Sequence, residues 1–569
     1  MDTAAAPRIR LWPAASLAIL YWGLQLVVAQ TDMPMFNRFM SKSMGGLAFL
    51  LLFLILWLSN GTLSWKVRLG GLGAFLAGTV GAILLAHRSF DPISFLMMAV
   101  PYVITAWTLW LFAARRLGAA LLPLAAVLLL ANGAFDLIRW DGLDGRLVSS
   151  ASWRWSVTPE EAFLAGRRAP ATSERAPKPW TLGSGDWPEF RGAQRDGVVR
   201  GVRIETNWRE APPEKLWKQA VGPGWSSVIV VDGFLVTQEQ RGESEAVVCY
   251  EAETGKEIWV HSEVARFSEG IAGTGPRATP TFRDGKIYAY GASGVLVCLD
   301  AVSGKALWST RARDEKTPLP MWGYSASPLI ADGKVIVFVG GSKGTVAFNA
   351  ADGAPAWSRN GSGESYSSAQ LLTLRGKAQI VMQDNKGIAG LGTADGAVLW
   401  ERANPTPSAI PMLQPHATDE SALLASTAQD LFLLEVREEG GKWTAADKWL
   451  STRFRPSFDD FVVHDGHVYG LDDGILSCVT VASGERVWKK GRFGSGQILL
   501  LADQGLLVVL SEKGELALVE ARPQEPTEPF RIPAVEGKTW NHPVVVKDRL
   551  YVRNAAEMAC YRLRLLNNP

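Results

Sequence analysis

The hydrophobic pattern of this 569-residue chain changes near residue 140. Before that point the apolar residues form long runs, each close to the roughly 20 residues that a helix needs to cross a membrane. After it they form short alternating stretches, which is typical of half-buried strands separated by turns. The pattern predicts a bundle of five transmembrane helices followed by an all-β domain. The apolar runs cover residues 11–29, 44–63, 69–86, 93–113 and 117–138.

The third apolar run carries small residues at four-residue spacing, namely Gly70, Ala74, Gly78 and Ala82. Such a stripe lies on one helix face and allows a neighbouring helix to approach closely. We therefore expect a packed bundle rather than five separate anchors.

The distribution of basic residues predicts how the bundle is oriented. By the positive-inside rule, the side with more Lys and Arg faces the cytoplasm. That side holds the N-terminus, and an odd number of spans then places everything after residue 139 on the outer side. The N-terminal side collects Arg8, Arg10, Lys66, Arg68, Arg115 and Arg116, against Arg38, Lys42 and Arg88 in the other short loops.

A short phrase recurs in the all-β region: a Gly followed four residues later by a Trp. Each copy follows a hairpin, and several of these hairpins turn on Asp-Gly, which supplies the positive φ angles of a type I′ turn. Counting the hairpins gives eight units of about 44 residues, a period that indicates a β-propeller. The five pairs are Gly255/Trp259, Gly304/Trp308, Gly353/Trp357, Gly396/Trp400 and Gly484/Trp488.

The two ends of the repeat region complement each other. The last unit stops before it can supply an outer strand, whereas KLWKQAV, around Trp217, precedes the first hairpin. We predict that residues 215–220 complete the last unit and close the ring, which removes an exposed sheet edge. The repeat tryptophans are then wedges between blades. The four cysteines fall in equivalent positions of different blades, too far apart to pair.

The expected domains are a helix bundle at 1–140, a linker region at 141–200 and the propeller at 201–569. In the linker region, Thr158 and Glu161 form a capping box for a short helix near 159–166. The Pro/Ala-rich stretch RRAPATSERAPKP is a linker by composition. The turn-rich segment DWPEFRGAQRDGVV (186–199) is expected to pack against the propeller's face.

The phrase A-x-T/S-G-K-x-x-W resembles the tryptophan-docking repeat of quinoproteins, which bind pyrroloquinoline quinone (PQQ). The resemblance covers about residues 186–565 and implies an eight-bladed propeller of quinoprotein type. DWPEFRGAQRDGV and GKTWNHPVVVKDRLYVRNAAEMACYRL are similar to the corresponding ends of bacterial PQQ-repeat proteins. The same repeats occur in the non-catalytic propeller lipoprotein of outer-membrane β-barrel assembly. Helices ahead of such a propeller also resemble membrane-bound PQQ glucose dehydrogenase, whose helices help pass electrons to ubiquinone.

Channel-lining positions follow from the architecture, because the innermost strand of each blade starts at the channel. The residues just before each hairpin form a polar ring with aromatic walls, suited to a flat tricarboxylate such as PQQ. A quinoprotein enzyme also needs Ca²⁺, held by about six to eight oxygens, and a carboxylate base. Asp459, with Asp460 beside it, is the catalytic candidate in that case. The cofactor-binding candidates are Trp225, Arg277, Trp322, Tyr366, Gln414, Gln497, Trp540 and Asn541.

Two functions stay open at this point. The preferred interpretation is a multi-pass protein of the bacterial inner membrane whose periplasmic propeller binds a protein partner or small ligand at its channel. The alternative is a PQQ-dependent dehydrogenase of alcohols or sugars that passes electrons to membrane quinone. A net charge of +2 without a basic run gives no sign of nucleic-acid binding.

Overall fold

The computed structural model describes residues 11–31, 33, 35–117, 120–167, 178–314, 316–360, 363–404, 410–427 and 429–566. The chain divides into two compact units. The first comprises residues 1–157 with 269–273, and the second comprises residues 158–268 with 274–569. Most of the Pro/Ala-rich stretch expected to be a linker lies outside the described residues.

The described part of the first unit begins with five helices. They are α1 (Trp12–Gln30), α2 (Met35–Leu58), α3 (Trp65–Leu85), α4 (Pro92–Leu117) and α5 (Leu121–Gly133), which continues as a 3₁₀ turn over Ala134–Leu137. Among the described residues, four helices are long and apolar enough to cross a membrane. The fifth run forms a helix of 13 residues, so a count of five spans is not confirmed.

Helices α3 and α5 pack closely through the small residues of α3. A Cβ added to Gly70 would lie 2.6 Å from the Leu121 side chain, and one added to Gly78 would lie 3.2 Å from Asn132. On the same face, the Thr79 hydroxyl donates to the Asn132 side-chain oxygen over 3.1 Å. The expected close approach of a helix to this stripe is confirmed.

A β-hairpin and a short helix follow the bundle. The hairpin pairs β1 (Ile138–Leu143) with β2 (Ser149–Trp153) and belongs to the first unit. It lies where the sequence indicated a linker, because its alternation of apolar and polar residues is weak. Helix α6 (Pro159–Gly166) has the expected capping box: the Glu161 amide donates to Thr158 Oγ1 over 3.0 Å, and the Thr158 amide donates to Glu161 Oε2 over 2.8 Å.

The described residues of the second unit form eight four-stranded sheets, which are the blades of a propeller, and blade 7 gains the short strand Val198–Val199. The strands of each blade are given from the innermost outward. Blade 1 consists of Ile229–Val231, Phe234–Arg241, Ser244–Glu251 and Glu257–Val264, and blade 2 of Thr281–Arg283, Lys286–Tyr290, Val295–Asp300 and Ala306–Arg311. Blade 3 consists of Leu329–Ala331, Lys334–Gly340, Gly344–Asn349 and Pro355–Arg359, and blade 4 of Gln370–Leu374, Lys377–Asp384, Gly387–Gly392 and Val398–Ala403. Blade 5 consists of His416–Ala417, Ala422–Ser426, Leu431–Glu439 and Lys442–Ser451, and blade 6 of Phe461–His464, His467–Asp472, Ile475–Thr480 and Arg486–Arg492. Blade 7 consists of Gln497–Leu501, Leu506–Leu510, Glu515–Glu520 and Arg531–Pro533, and blade 8 of Val544–Val546, Arg549–Arg553, Glu557–Arg562 and Glu214–Ala220.

The ring closes as the sequence predicted. The strand Glu214–Ala220 pairs antiparallel with Glu557–Arg562, with Trp217 opposite Cys560. The strand that precedes blade 1 therefore completes the last blade, so Glu557–Arg562 is paired on both sides and is not an exposed edge strand.

The repeat tryptophans join neighbouring blades. Trp308 of blade 2 lies on Gly353 of blade 3, where an added Cβ would be 2.6 Å from the indole, and its Nε1 donates to Ala350 O over 3.1 Å. Trp259 contacts Gly304 in the same way. Trp400 differs, because its indole donates to Gln379 within its own blade. The wedge assignment is confirmed for Trp259 and Trp308, and the four cysteines are free and buried.

Candidate functional site

The lead-in segment (residues 186–199) contacts the inner strands of the propeller or the loops that lead into them. Its backbone pairs with the inner strand of blade 1 at Trp187 and Val230 and with that of blade 7 at Val198 and Leu500. Side chains and carbonyls of the segment contact the remaining blades. These contacts are Phe282 N to Pro188 O (2.7 Å), Arg195 to Pro328 O (3.1 Å), Gln370 to Arg195 O (3.1 Å), Arg191 to His416 (2.8 Å), Arg191 to Phe461 O (2.6 Å) and Phe190 against the His542 ring (4.9 Å between centroids).

One of the channel acids is neutralised by this segment. Arg191 and Asp460 form an ion pair of 2.9 Å, and both side chains are buried. His416 and His542 approach the same carboxylate at 3.6 and 3.9 Å. Although burial opposes ionisation, Arg191 and His416 hold the pKa of Asp460 below its usual value. Asp460 is therefore an ionised partner of the lead-in segment rather than a free base.

The adjacent Asp459 has the opposite environment. Burial raises its pKa well above the usual value, and the nearby Glu512 carboxylate adds to the shift. Asp459 Oδ1 is buried and has no hydrogen-bond partner in the described structure. Glu512 accepts from the Trp540 indole over 2.8 Å and from the Ser495 amide over 3.3 Å. Burial therefore opposes ionisation of Asp459, and the neighbouring Glu512 accepts hydrogen bonds from Trp540 and Ser495.

Aromatic side chains lie in the loops that lead into the inner strands, and we call these loops the mouth of the channel. The Trp225 and Trp540 rings are 5.0 Å apart, and Phe458 meets Trp540 edge-on at the same distance. The Lys538 ammonium lies over both indoles, 5.4 Å from Trp225 and 4.5 Å from Trp540. Blades 6, 8 and 1 therefore contribute one aromatic group with a cation over it.

Two further groups come from the loops of blades 2 to 4. The Trp322 and Tyr366 rings are 5.0 Å apart, and the Trp322 amide donates to the tyrosine hydroxyl over 3.3 Å. The Arg277 guanidinium lies 4.6 Å above the Phe267 ring. Cations over aromatic rings are attracted by the ring quadrupole and are held in position by it.

The candidate amide side chains mainly form hydrogen bonds between blades. Gln497 of blade 7 donates to Phe458 O and Trp540 O, both over 3.2 Å. Asn541 donates to Gly224 O and Ser226 O across the junction of blades 8 and 1. Gln414 is buried, and its Oε1, like Asn541 Oδ1, has no hydrogen-bond partner in the described structure.

The structure brings the sequence candidates together in part. Trp225 meets Trp540 and Trp322 meets Tyr366, and Arg277 lies over Phe267. Three residues at the channel were missed: Arg191, Glu512 and Lys538. Lys538 precedes Trp540 by two residues and could have been found with it. Arg191 lies in the lead-in segment, and Glu512 lies in the loop between the second and third strands of blade 7. Neither position is marked by the repeat pattern, so the sequence did not predict them as channel residues.

Comparison with known proteins places these features in context. Residues 243–490 match a family model described as "Outer membrane protein assembly factor BamB". A stretch of 119 residues is 33% identical to quinohemoprotein alcohol dehydrogenase ADH IIB of Pseudomonas putida, covering 20% of this chain and 17% of that protein. The match thus spans about a sixth of that relative's length.

Two solved structures share the fold. Quinohemoprotein alcohol dehydrogenase ADHIIG from Pseudomonas putida HK5 superimposes with a TM-score of 0.51 at 13% identity, covering 69% of this chain and 84% of that one. The enzyme from Comamonas testosteroni gives 0.51 at 14% identity, covering 68% and 82%. At these identities the likeness establishes the fold and leaves the activity open.

Proposed function

We propose that this chain, whose second unit is a PQQ-repeat β-propeller, is a membrane-anchored module that binds a segment of a protein partner at the mouth of its channel. The observation that carries the proposal is the set of aromatic side chains in the loops of the mouth. Arg191 of the lead-in segment pairs with Asp460, while Trp225 and Trp540 are only half-buried and have the Lys538 ammonium over both rings. We place the propeller in the periplasm and the helices in the bacterial inner membrane.

The chemistry of the mouth suggests what it binds. Trp, Tyr and Arg are the residues that most often dominate protein interfaces, because they bury large areas at low entropic cost. Here Trp225 and Trp322 are only half-buried, and Lys538 and Arg277 add positive charge near aromatic surface. An extended segment with apolar and acidic side chains fits this arrangement.

The alternative is a PQQ-dependent dehydrogenase, which the similarity to quinohemoprotein alcohol dehydrogenases favours. The channel residues do not fit PQQ with Ca²⁺. Calcium takes about six to eight oxygen ligands, including ionised carboxylates. Asp460 is paired with Arg191, Glu512 accepts from Trp540, and ionisation of Asp459 is opposed by burial. This set does not supply both a metal-binding carboxylate and a base, so we derive no catalytic step.

A titration separates the two functions. Purified full-length protein in nanodiscs is mixed with PQQ and Ca²⁺, and cofactor uptake and dye reduction are measured over a panel of alcohols and aldoses. We expect no stoichiometric uptake at micromolar PQQ and no turnover. Stoichiometric uptake with turnover that Asp459→Asn abolishes would establish the dehydrogenase instead.

A second experiment tests the mouth directly. A photo-crosslinking amino acid replaces Trp225 or Trp322 in living cells, with Val264, which is exposed on the outer strand of blade 1, as the matched control. We expect one discrete protein adduct from both mouth positions and none from position 264. The adduct should weaken when Lys538 is changed to Ala. Equal adducts at all three positions would contradict a binding site at the mouth.

A further inference from the structure

The hairpin formed by β1 and β2 is fixed to one end of the helix bundle. Arg146 donates to Ala29 O, near the end of α1, over 2.7 Å, and Lys42 of α2 donates to Leu147 O over 2.5 Å. The Trp140 amide donates to Ser89 Oγ, just before α4, over 2.9 Å. All these contacts lie within the first unit, so the hairpin spans the end of the bundle where α1 finishes and α2 and α4 begin.

The last residue of β2, Trp153, and Trp155 just beyond it present two indoles to the outside at that level. Trp153 and Trp155 stack at 5.3 Å with an interplanar angle of 7° and are 55% and 65% exposed. Arg154, between them, donates to Asp136 O over 2.8 Å, and its amide donates to Leu137 O over 2.9 Å. The indole pair is thereby held beside the last residues of the turn that ends the fifth helix.

The opposite end of the bundle carries a matching pair of exposed indoles. Trp12 and Trp65, the first residues of α1 and α3, are 68% and 58% exposed. Helix α3 has 21 residues, which at about 1.5 Å per residue gives a length of about 30 Å. A hydrocarbon core is also about 30 Å thick, so the two levels of tryptophan are one bilayer core apart.

We propose that Trp153 and Trp155 insert into the headgroup layer of the membrane and that the β1–β2 hairpin is an interfacial anchor. Indoles favour this boundary because the ring is apolar while its N–H keeps a polar partner. The helix surface between the two levels is apolar and exposed, with Ile19, Leu84 and Leu130 among its residues, so the hairpin continues a lipid-facing surface. The proposal rests on the membrane anchoring proposed above.

Depth-dependent quenching tests this placement. An environment-sensitive fluorophore is attached to Trp153→Cys or Trp155→Cys in full-length protein in vesicles. The quenchers are aqueous iodide, a lipid with a nitroxide near the headgroup and a lipid with a nitroxide at the chain end. The native cysteines are free and buried, so unsubstituted protein serves as the labelling blank. Leu76→Cys, at the middle of α3, reports the membrane centre, and Ser150→Cys, on the opposite strand face from Trp153, is the matched hairpin control.

We expect the shallow nitroxide to quench positions 153 and 155 roughly twofold more than the deep one, and the reverse at position 76. Position 150 should respond mainly to iodide. If only iodide quenches the fluorophore at positions 153 and 155, while the lipid nitroxides quench it at position 76, the proposed interfacial anchor is wrong. The helices would then still span the membrane. Stronger deep quenching at 153 and 155 also contradicts an interfacial position. If lipid does not quench position 76 either, the proposed membrane anchoring fails as well.

Discussion

Neighbouring residues in the channel, Asp459 and Asp460, are expected to respond in opposite ways to the same substitution. Asp460→Asn removes the charge that pairs with buried Arg191, and leaving such a cation uncompensated costs about 3–5 kcal/mol. Asp459→Asn replaces a carboxyl whose ionisation burial already opposes, so the free energy of unfolding at pH 7 should stay the same or rise. Urea unfolding of the two variants measures the difference, and equal losses would mean that Asp459 also carries a paired charge.

The wedge role of a repeat tryptophan gives a second prediction at this scale. Trp308→Ala removes an indole that packs on Gly353 and donates to Ala350 O, which should cost about 3–5 kcal/mol. Its neighbour Leu307 is half exposed, so Leu307→Ala should change the free energy of unfolding by less than about 0.5 kcal/mol. A Trp308→Ala variant with unchanged stability would show that the contact is not a wedge.

The histidine beside the lead-in segment predicts a dependence of stability on pH. Burial lowers the pKa of His542 to about 3, below the roughly 6.5 of an unfolded histidine. The unfolded state therefore binds the proton first, and the contribution present above pH 6.5 is lost as the pH falls toward 3. Comparing the free energy of unfolding of the wild type with that of His542→Gln isolates the contribution of this histidine. The variant should lose less of that free energy between pH 7 and pH 5.

At the scale of elements, closure of the ring depends on one strand. Deleting residues 214–220 removes the outer strand of blade 8 and exposes the edge of Glu557–Arg562. Because an open edge also exposes the apolar faces of blades 8 and 1, we expect loss of cooperative unfolding and aggregation. Deleting seven residues at 170–176, in the Pro/Ala-rich stretch, should leave the melting temperature of the propeller nearly unchanged. Equal melting temperatures for the two deletions would contradict closure by this strand.

For the whole molecule, the orientation in the membrane is the central expectation. The greater number of Lys and Arg residues in the N-terminal segment and its matching loops favours a cytoplasmic N-terminus. In intact cells, Ser173→Cys should react with a membrane-impermeant maleimide, and Ala5→Cys should react only after lysis. The reverse pattern would place the propeller in the cytoplasm and contradict a periplasmic partner.

Much of the fold could be predicted from the sequence because its determinants are local. An Asp-Gly turn needs only its own backbone angles: Asp232 and Gly233 have φ values of 49° and 80°. A repeat tryptophan needs only the glycine of the next blade, about 45 residues on. Such nearest-neighbour rules also predicted the number of blades and the strand that closes the ring.

The environment of the channel was decided only by the tertiary structure. Asp459 and Asp460 are adjacent and identical in type, and nothing local distinguishes them. Arg191, whose charge favours the ionised form of Asp460, lies more than 260 residues earlier in the chain, in a segment without a repeat. The electrostatic environment of a buried carboxyl depends on every charge within a few ångströms, whatever its place in the sequence. The repeats determined the ring, and the folded lead-in segment determined which acid in its channel is charged.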